Sequence, residues 1–262
     1  MTRSELRRIQ WRGVLALTHR EVVRRVLRLW PQTIAPQVIV AVLFVVVFGV
    51  ALGSQIRTVN GVPYQEFVVP GLTLMGVSTA AFANNSTSLY QARSDGFIED
   101  PVSSPMTSAQ LTLAYTIGGV ARGLIIGIMT LATARAFVGF PFEHPLLTLY
   151  VLTCASLTFT GLGNVVGLYS RGWELQAFVG NIIIQPLVFL GGVFYSIAAL
   201  QSPWRGISHA DPILYMVEGT RHGILGTSDL SLFASLGVTT GLAVIMMAWS
   251  WWVFDRGVGL RT

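Results

Sequence analysis

Four groups of polar residues mark the places where this chain could do chemistry. Glu218, Arg221 and His222 stand three and four residues apart, one face of a helix in VEGTRH. Asp95, Glu99 and Asp100 surround Phe97 and Ile98 in a polar stretch that also holds Pro101 and Pro105. Arg122 lies in GGVARG inside an apolar run, and Asn84, Asn85, Asn164, Asn181 and Gln185 lie within others. These types offer ion pairing, amide hydrogen bonding and recognition of anions rather than bond making. All 17 basic residues are arginine, and the lack of lysine removes a Walker A phosphate loop and any Schiff base. There is no HExxH, no serine elbow and no Cys/His cluster with metal-ligand spacing. The single cysteine, Cys154, sits in an apolar run and reads as a small packed hydrophobe.

The elements that must position these groups are membrane spans. Only 11% of the residues are charged, against roughly 25% in an average soluble domain. Six apolar runs, each near the roughly 20 residues a hydrocarbon core requires, cover Thr33 to Leu52, Phe67 to Thr87, Leu111 to Ala134, Leu146 to Leu168, Ala177 to Ile197 and Leu232 to Phe254. The fold class read from them is an all-α integral membrane protein of six transmembrane helices. Gly119, Gly123 and Gly127, and again Gly163 and Gly167, repeat every four residues, a spacing that lets helices approach closely.

Before the first run, the pattern from Ser4 to Trp30 is amphipathic. Arg20, Arg24 and Arg28 recur at every fourth position, with Val22, Val26 and Leu29 on roughly the opposite side. This predicts a helix lying in the membrane surface, residues 1–30, ahead of one transmembrane domain, residues 31–262. Eight Arg against two Glu fall in those first 30 residues, which reads as a cytoplasmic flank facing anionic lipid and not as a nucleic-acid site.

Arginine placement also orients the chain. With the N-terminus cytoplasmic, that side collects the first eight Arg with Arg93, Arg171, Arg256 and Arg261, and the outer side only Arg57, Arg135, Arg205 and Arg221. Both termini are then cytoplasmic, and residues 191–226 lie outside. That outer stretch carries two helix starts, Ser202-Pro203 and Asp211-Pro212, each a capping side chain before a proline at the first helical position. After the second, Ile213, Met216, Val217 and Ile224 fall on one face and Glu218, Arg221 and His222 on another. The expectation is a re-entrant or interfacial hairpin acting as an outer gate, its polar face lining the exit or meeting a second protomer.

All acids and histidines fall outside the spans so drawn, leaving a coupling proton or cation no obvious seat. Energy for uphill transport must then come from a partner. Arg122 has two readings: contact with an anionic substrate or a conformational latch, or bonding to carbonyls and to polar neighbours such as Asn84, Asn85 or Asn164. The asparagines, with Asn181 and Gln185, divide likewise between interhelical bonding and a translocation path. The loop Tyr90 to Gln110 predicts a short acidic-apolar helical turn, and exposed Phe97 and Ile98 there argue for docking onto another protein.

FIEDPVSSPM (Phe97 to Met106), GGVARGL (Gly118 to Leu124), LGGVFYS (Leu190 to Ser196), HADPILYMVEGTRHGILG (His209 to Gly226) and the ending RGVGLR (Arg256 to Arg261) together resemble the permease subunits of type-2 ATP-binding-cassette (ABC) exporters, in particular those of YadH type. The resemblance spans nearly the whole chain. It implies a homodimer on two copies of a separate ATPase, with Phe97, Ile98, Glu99 and Asp100 forming the coupling helix. Pro101 replaces the family's usual apolar residue after the acidic pair, which bears on that helix's length. ATP and Mg would sit on the partner, and this chain would need no cofactor or metal of its own. The cargo class implied is an amphiphile: a drug, a lipid or a lipid-linked glycan. Two other classes fit the residues as well, an ion-coupled or passive transporter without an ATPase, and a membrane scaffold.

Overall fold

The computed structural model describes residues 3–44, 46–47, 58–59 and 61–259. Helix α1 (Arg3–His19) continues through a π-helical stretch (Arg20–Leu27) into α2 (Trp30–Thr33) and α3 (Ala35–Phe44). A two-residue hairpin, β1 (Thr58–Val59) with β2 (Val62–Pro63), leads into α4 (Tyr64–Ser94). Then come α5 (Glu99–Ser103), α6 (Ser108–Phe137) and α7 (Pro145–Tyr169). The next rod, Trp173–Leu190, is α8 (Trp173–Phe178), a π-helical stretch (Val179–Ile184) and α9 (Gln185–Leu190). Helices α10 (Trp204–Ala210), α11 (Pro212–Leu225) and α12 (Leu232–Asp255) complete the chain.

Among the described residues, five helices are long and apolar enough to cross a membrane: α4, α6, α7, the rod Trp173–Leu190, and α12. The sixth predicted run appears as the shorter apolar helix Trp30–Phe44. Its remaining residues, 45 and 48–52, lie outside the described set, as do Arg57 and Arg261.

Local chemistry explains the element ends. Thr107 and Gln110 bond each other's backbone N–H groups in a capping box that starts α6. Ser231 caps α12 through Ala234 N–H. Asp211 accepts from Ile213 N–H, Pro212 follows it, and Gly226 closes α11 at φ 72°, so the second predicted helix start stands as read. The first differs: α10 begins one residue later, with Pro203 at the N-cap position and no side-chain cap.

Helix α4 is the central post, buried along most of its length. The glycine spacing does what it predicts. A Cβ on Gly163 would come 2.7 Å from the Phe82 carbonyl oxygen and one on Gly167 2.8 Å from that of Ser86, so α7 touches the α4 backbone only because these positions lack side chains.

Two departures from the sequence pattern have one cause. Buried positions along the rod Trp173–Leu190 step through Gln176, Val179, Ile184 and Val188, and the five-residue gap is its π-helical stretch. In the N-terminal helix they step through Val14, Leu17, Glu21 and Val26, again with a five-residue gap. An α-helical wheel cannot anticipate that phase change. The helix packs against α6 instead of resting only on a membrane surface, and Glu21 turns inward, fully buried. The sequence places every acid in flanks and loops, and Glu21 stays in its flank, but there it is buried and not solvated. Ser88 donates to its Oε2 at 2.7 Å, and a Cβ on Gly118 would collide with it. The rod also ends seven residues before the predicted Ile197, because Gly192 takes φ 78° and turns the chain out of the helix.

Candidate coupling and translocation site

At the end of α4 that leads to α5, the chain builds a knob on the N-terminal helix. Ile98 is only 5% exposed and packs with Val14, Leu17, Leu89 and Leu111, while Pro101 is buried beside it. Phe97 is 54% exposed, and Glu99 and Asp100 face outward on the short α5. The expectation that both Phe97 and Ile98 are exposed therefore holds for Phe97 alone, because Ile98 is the anchor that fixes the turn. The N-terminal helix grips the same loop. Gln10 donates to Pro105 O at 2.8 Å, Arg20 lies 5.8 Å from the Phe97 ring, and Gly13 leaves room for the Met106 sulfur. Arg93 donates to the carbonyls of Leu168 and Ser170, tying this end of α4 to the end of α7.

Deeper in the bundle, the asparagines bond across four helices. Asn84 donates to Asn85 Oδ1 at 3.0 Å, Asn85 to Asn164 Oδ1 at 2.6 Å and to Tyr115 O at 3.0 Å, and Asn164 to Ser250 Oγ at 2.9 Å. The chain of amides joins α4, α6, α7 and α12, and buried polar atoms so satisfied fix helix register. Arg122 also bonds the N-terminal segment. Its guanidinium donates to Thr33 O at 2.9 Å, at the break between α2 and α3.

Asn181 lies elsewhere, on the lip of a groove of about 300 Å³ between α4 and the rod Trp173–Leu190. Thr79, Thr87, Gln176 and Gln185 share that groove with Phe82 and Trp173. The π-helical stretch sets the phase that leaves Asn181 and Gln185 exposed while Ile184 is buried. Hydroxyls, amides and two aromatics along one spanning helix pair make an amphipathic wall.

At the opposite end, Glu218 and Arg221 do not form an outward polar face. They are 0% and 2% exposed and pair with each other. Arg221 also donates to Gly192 O at 2.7 Å and lies 4.0 Å from the centroid of the Phe67 ring, and Glu218 accepts from Asp229 N–H at 2.6 Å. The pair thus ties α11 to the end of the rod, to α4 and to the loop before α12. His222 points away from it and stacks on His144, centroids 5.8 Å apart, while His144 N–H bonds Gly223 O. At the α10–α11 junction, burial pushes the Asp211 carboxyl up to about 6, against the opposing pull of the Ile213 N–H.

The structure thus brings Asn84 with Asn85, Glu218 with Arg221 and Arg122 with Thr33, but leaves Asn181 and His222 in separate surroundings. Phe67, Gly192, Asp229 and Glu21 escaped the sequence reading. Adjacent glycines at the end of a span signalled Gly192, and a lone acid among arginines signalled Glu21. Nothing local signalled Phe67 or Asp229, whose partners are distant in sequence.

A family model and two relatives agree. A family model described as "ABC-2 type transporter" matches residues 12–225. The inner membrane transport permease YadH of Escherichia coli (strain K12) is 34% identical over 254 residues, covering 97% of this chain and 99% of that one. Nodulation protein J of Azorhizobium caulinodans is 30% identical over 183 residues, 66% of this chain and 69% of its own.

Proposed function

This chain belongs to the ABC-2 type transporter family and is a permease component, and from that premise we propose that it is the membrane half of an exporter. Two copies form the permease in the bacterial inner membrane, and two copies of a separate ATPase drive it. The cargo is an amphiphile or hydrophobe, a drug, a lipid or a lipid-linked glycan, moved outward. ATP and Mg belong to the ATPase; this chain makes and breaks no bond. Six spans, with the run from Thr33 as the first, set both termini in the cytoplasm, the N-terminal helix as the interface helix of residues 1–30, and residues 191–226 as a re-entrant outer hairpin.

The observation that carries this reading is the knob of Phe97, Glu99 and Asp100. An exposed aromatic beside two acids, held by buried Ile98 and Pro101, is shaped to enter a groove on another protein. Because the N-terminal helix grips the same loop at Pro105 and Phe97, force on the knob reaches the bundle through two attachments. The groove with Asn181 and Gln185 is the proposed path, open on one side until a second copy closes it. The Glu218–Arg221 pair with His222 then braces the outer gate.

Coexpression with the cognate ATPase and an export assay tests the assignment. The double change Glu99→Arg with Asp100→Arg abolishes export and ATPase stimulation while the thermal midpoint of the isolated permease stays put. Normal export by that variant would remove the coupling role. Transport by the permease alone in liposomes would replace the reading with an ATPase-independent transporter.

A further inference from the structure

A second cavity, of about 490 Å³, opens where α6 ends and α7 begins, remote from the coupling knob and within the volume range of ligand pockets, roughly 300–1,000 Å³. Its origin lies in side-chain size. Gly123 and Gly127 press α6 onto Ser156 and Val77, but one turn further on Ile128 and Leu131 stand on α6 against Leu149 and Leu152 on α7, and the helices part. Phe140, on the connecting loop, also lines it. The interior is wholly apolar apart from Thr148 and one group at the mouth, the Arg135 guanidinium.

Depth decides what Arg135 can meet. At 1.5 Å per residue α6 is about 45 Å long, longer than a hydrocarbon core of about 30 Å, so Arg135, two residues before its end, stands at headgroup level. The guanidinium donates to Phe140 O and lies 5.6 Å from that residue's ring, which fixes it at the rim. Among the described residues it has no acid partner, and the ion pair found there is Glu218–Arg221. The neighbouring acid in sequence, Glu143, lines a different pocket with His144, His222 and Leu232.

We infer that this cavity holds an anionic phospholipid of the outer leaflet, one acyl chain between α6 and α7 and the phosphate on Arg135. An apolar cavity with a single cation at headgroup depth is complementary to that chemistry, and less so to a zwitterion, whose own cation would oppose Arg135. The second copy proposed above would cover the groove between α4 and the rod Trp173–Leu190, which is lined by a different pair of helices. The leaflet assignment rests on the permease reading above, with the coupling loop facing the cytoplasm.

Native mass spectrometry of the full chain in detergent, titrated with phosphatidylglycerol or phosphatidylcholine, tests the site without ATPase or cargo, so a failed export reading would not disturb the result. The expected outcome is retention of phosphatidylglycerol over phosphatidylcholine, weakened roughly tenfold by Arg135→Gln, as for loss of one charged hydrogen bond, and kept by Arg135→Lys. Ala132→Trp, which fills the slot, removes retention of phosphatidylglycerol. Equal retention of both lipids by the unaltered chain, or undiminished phosphatidylglycerol binding in Arg135→Gln or Ala132→Trp, would overturn the inference. So would oxidative cross-linking of Ala132→Cys to a second copy in a Cys154→Ser chain.

Discussion

At the end proposed for coupling, Phe97, Glu99 and Asp100 are exposed side by side, whereas at the end proposed as outer, Glu218 and Arg221 are sealed inside the chain and pair with each other. Phe97, Glu99 and Asp100 are held by the chain only at their edges, through Ile98, Pro101 and the N-terminal helix. Glu218 and Arg221 instead bind Asp229 N–H, Gly192 O and the Phe67 ring, so both charges of the pair are met from within the chain. Exposed apolar surface is tolerated where something covers it, while a buried ion pair holds its own architecture in place. One end leaves its aromatic and its acids exposed, and the other meets its charges internally.

The sharpest way to break this comparison is Arg221→Leu. It leaves Glu218 buried and unpaired, and the expected loss is about 3–5 kcal/mol of stability, read by thermal or denaturant unfolding of the purified chain. Glu218→Leu behaves alike, and the double change recovers most of the loss because both desolvation costs vanish. A single change costing nothing measurable would mean that the outer end is not self-contained. Next in size is Phe97→Ala, which lowers ATPase stimulation by the partner but shifts stability by no more than about 0.5 kcal/mol, the range of ordinary surface changes. Equal destabilisation by Phe97→Ala and Arg221→Leu would erase the distinction between the two ends.

The smallest effect sharpens the outer end further. Asp211 favours its protonated form in the fold, since burial lifts its carboxyl from 3.8 to about 6. Its contribution is therefore greatest below about 4 and is lost as pH rises through 6. Asp211→Asn keeps the cap on Ile213 N–H and flattens the unfolding profile across that window. An unchanged profile would show that the α10–α11 junction hydrates on opening and titrates as an ordinary carboxylate.

Much of the fold was legible because membrane spans are written in composition and length: five of the six apolar runs became helices long enough to cross. Turn and cap chemistry was legible for the same local reason, as at Asp211-Pro212 and Gly226. The loop Tyr90 to Gln110 was legible as acids around Phe97 and Ile98, though not which of the two apolar side chains anchors and which projects. Ser202-Pro203 misled by one residue, because a cap needs a backbone geometry that the dipeptide alone does not specify.

The sequence by itself determined the helical spans, the lack of lysine and of enzyme motifs, and the motifs shared with ABC-2 permeases. Tertiary structure decided which polar residues meet. A helical wheel assigns faces at 3.6 residues per turn, and two π-helical stretches reset that phase, turning Glu21 inward and Asn181 outward. Glu218 and Arg221 read as a polar face because a sequence shows only their spacing. They are buried because Gly192, Phe67 and Asp229, far away along the chain, supply the acceptor, the ring and the donor that let two charges leave water together.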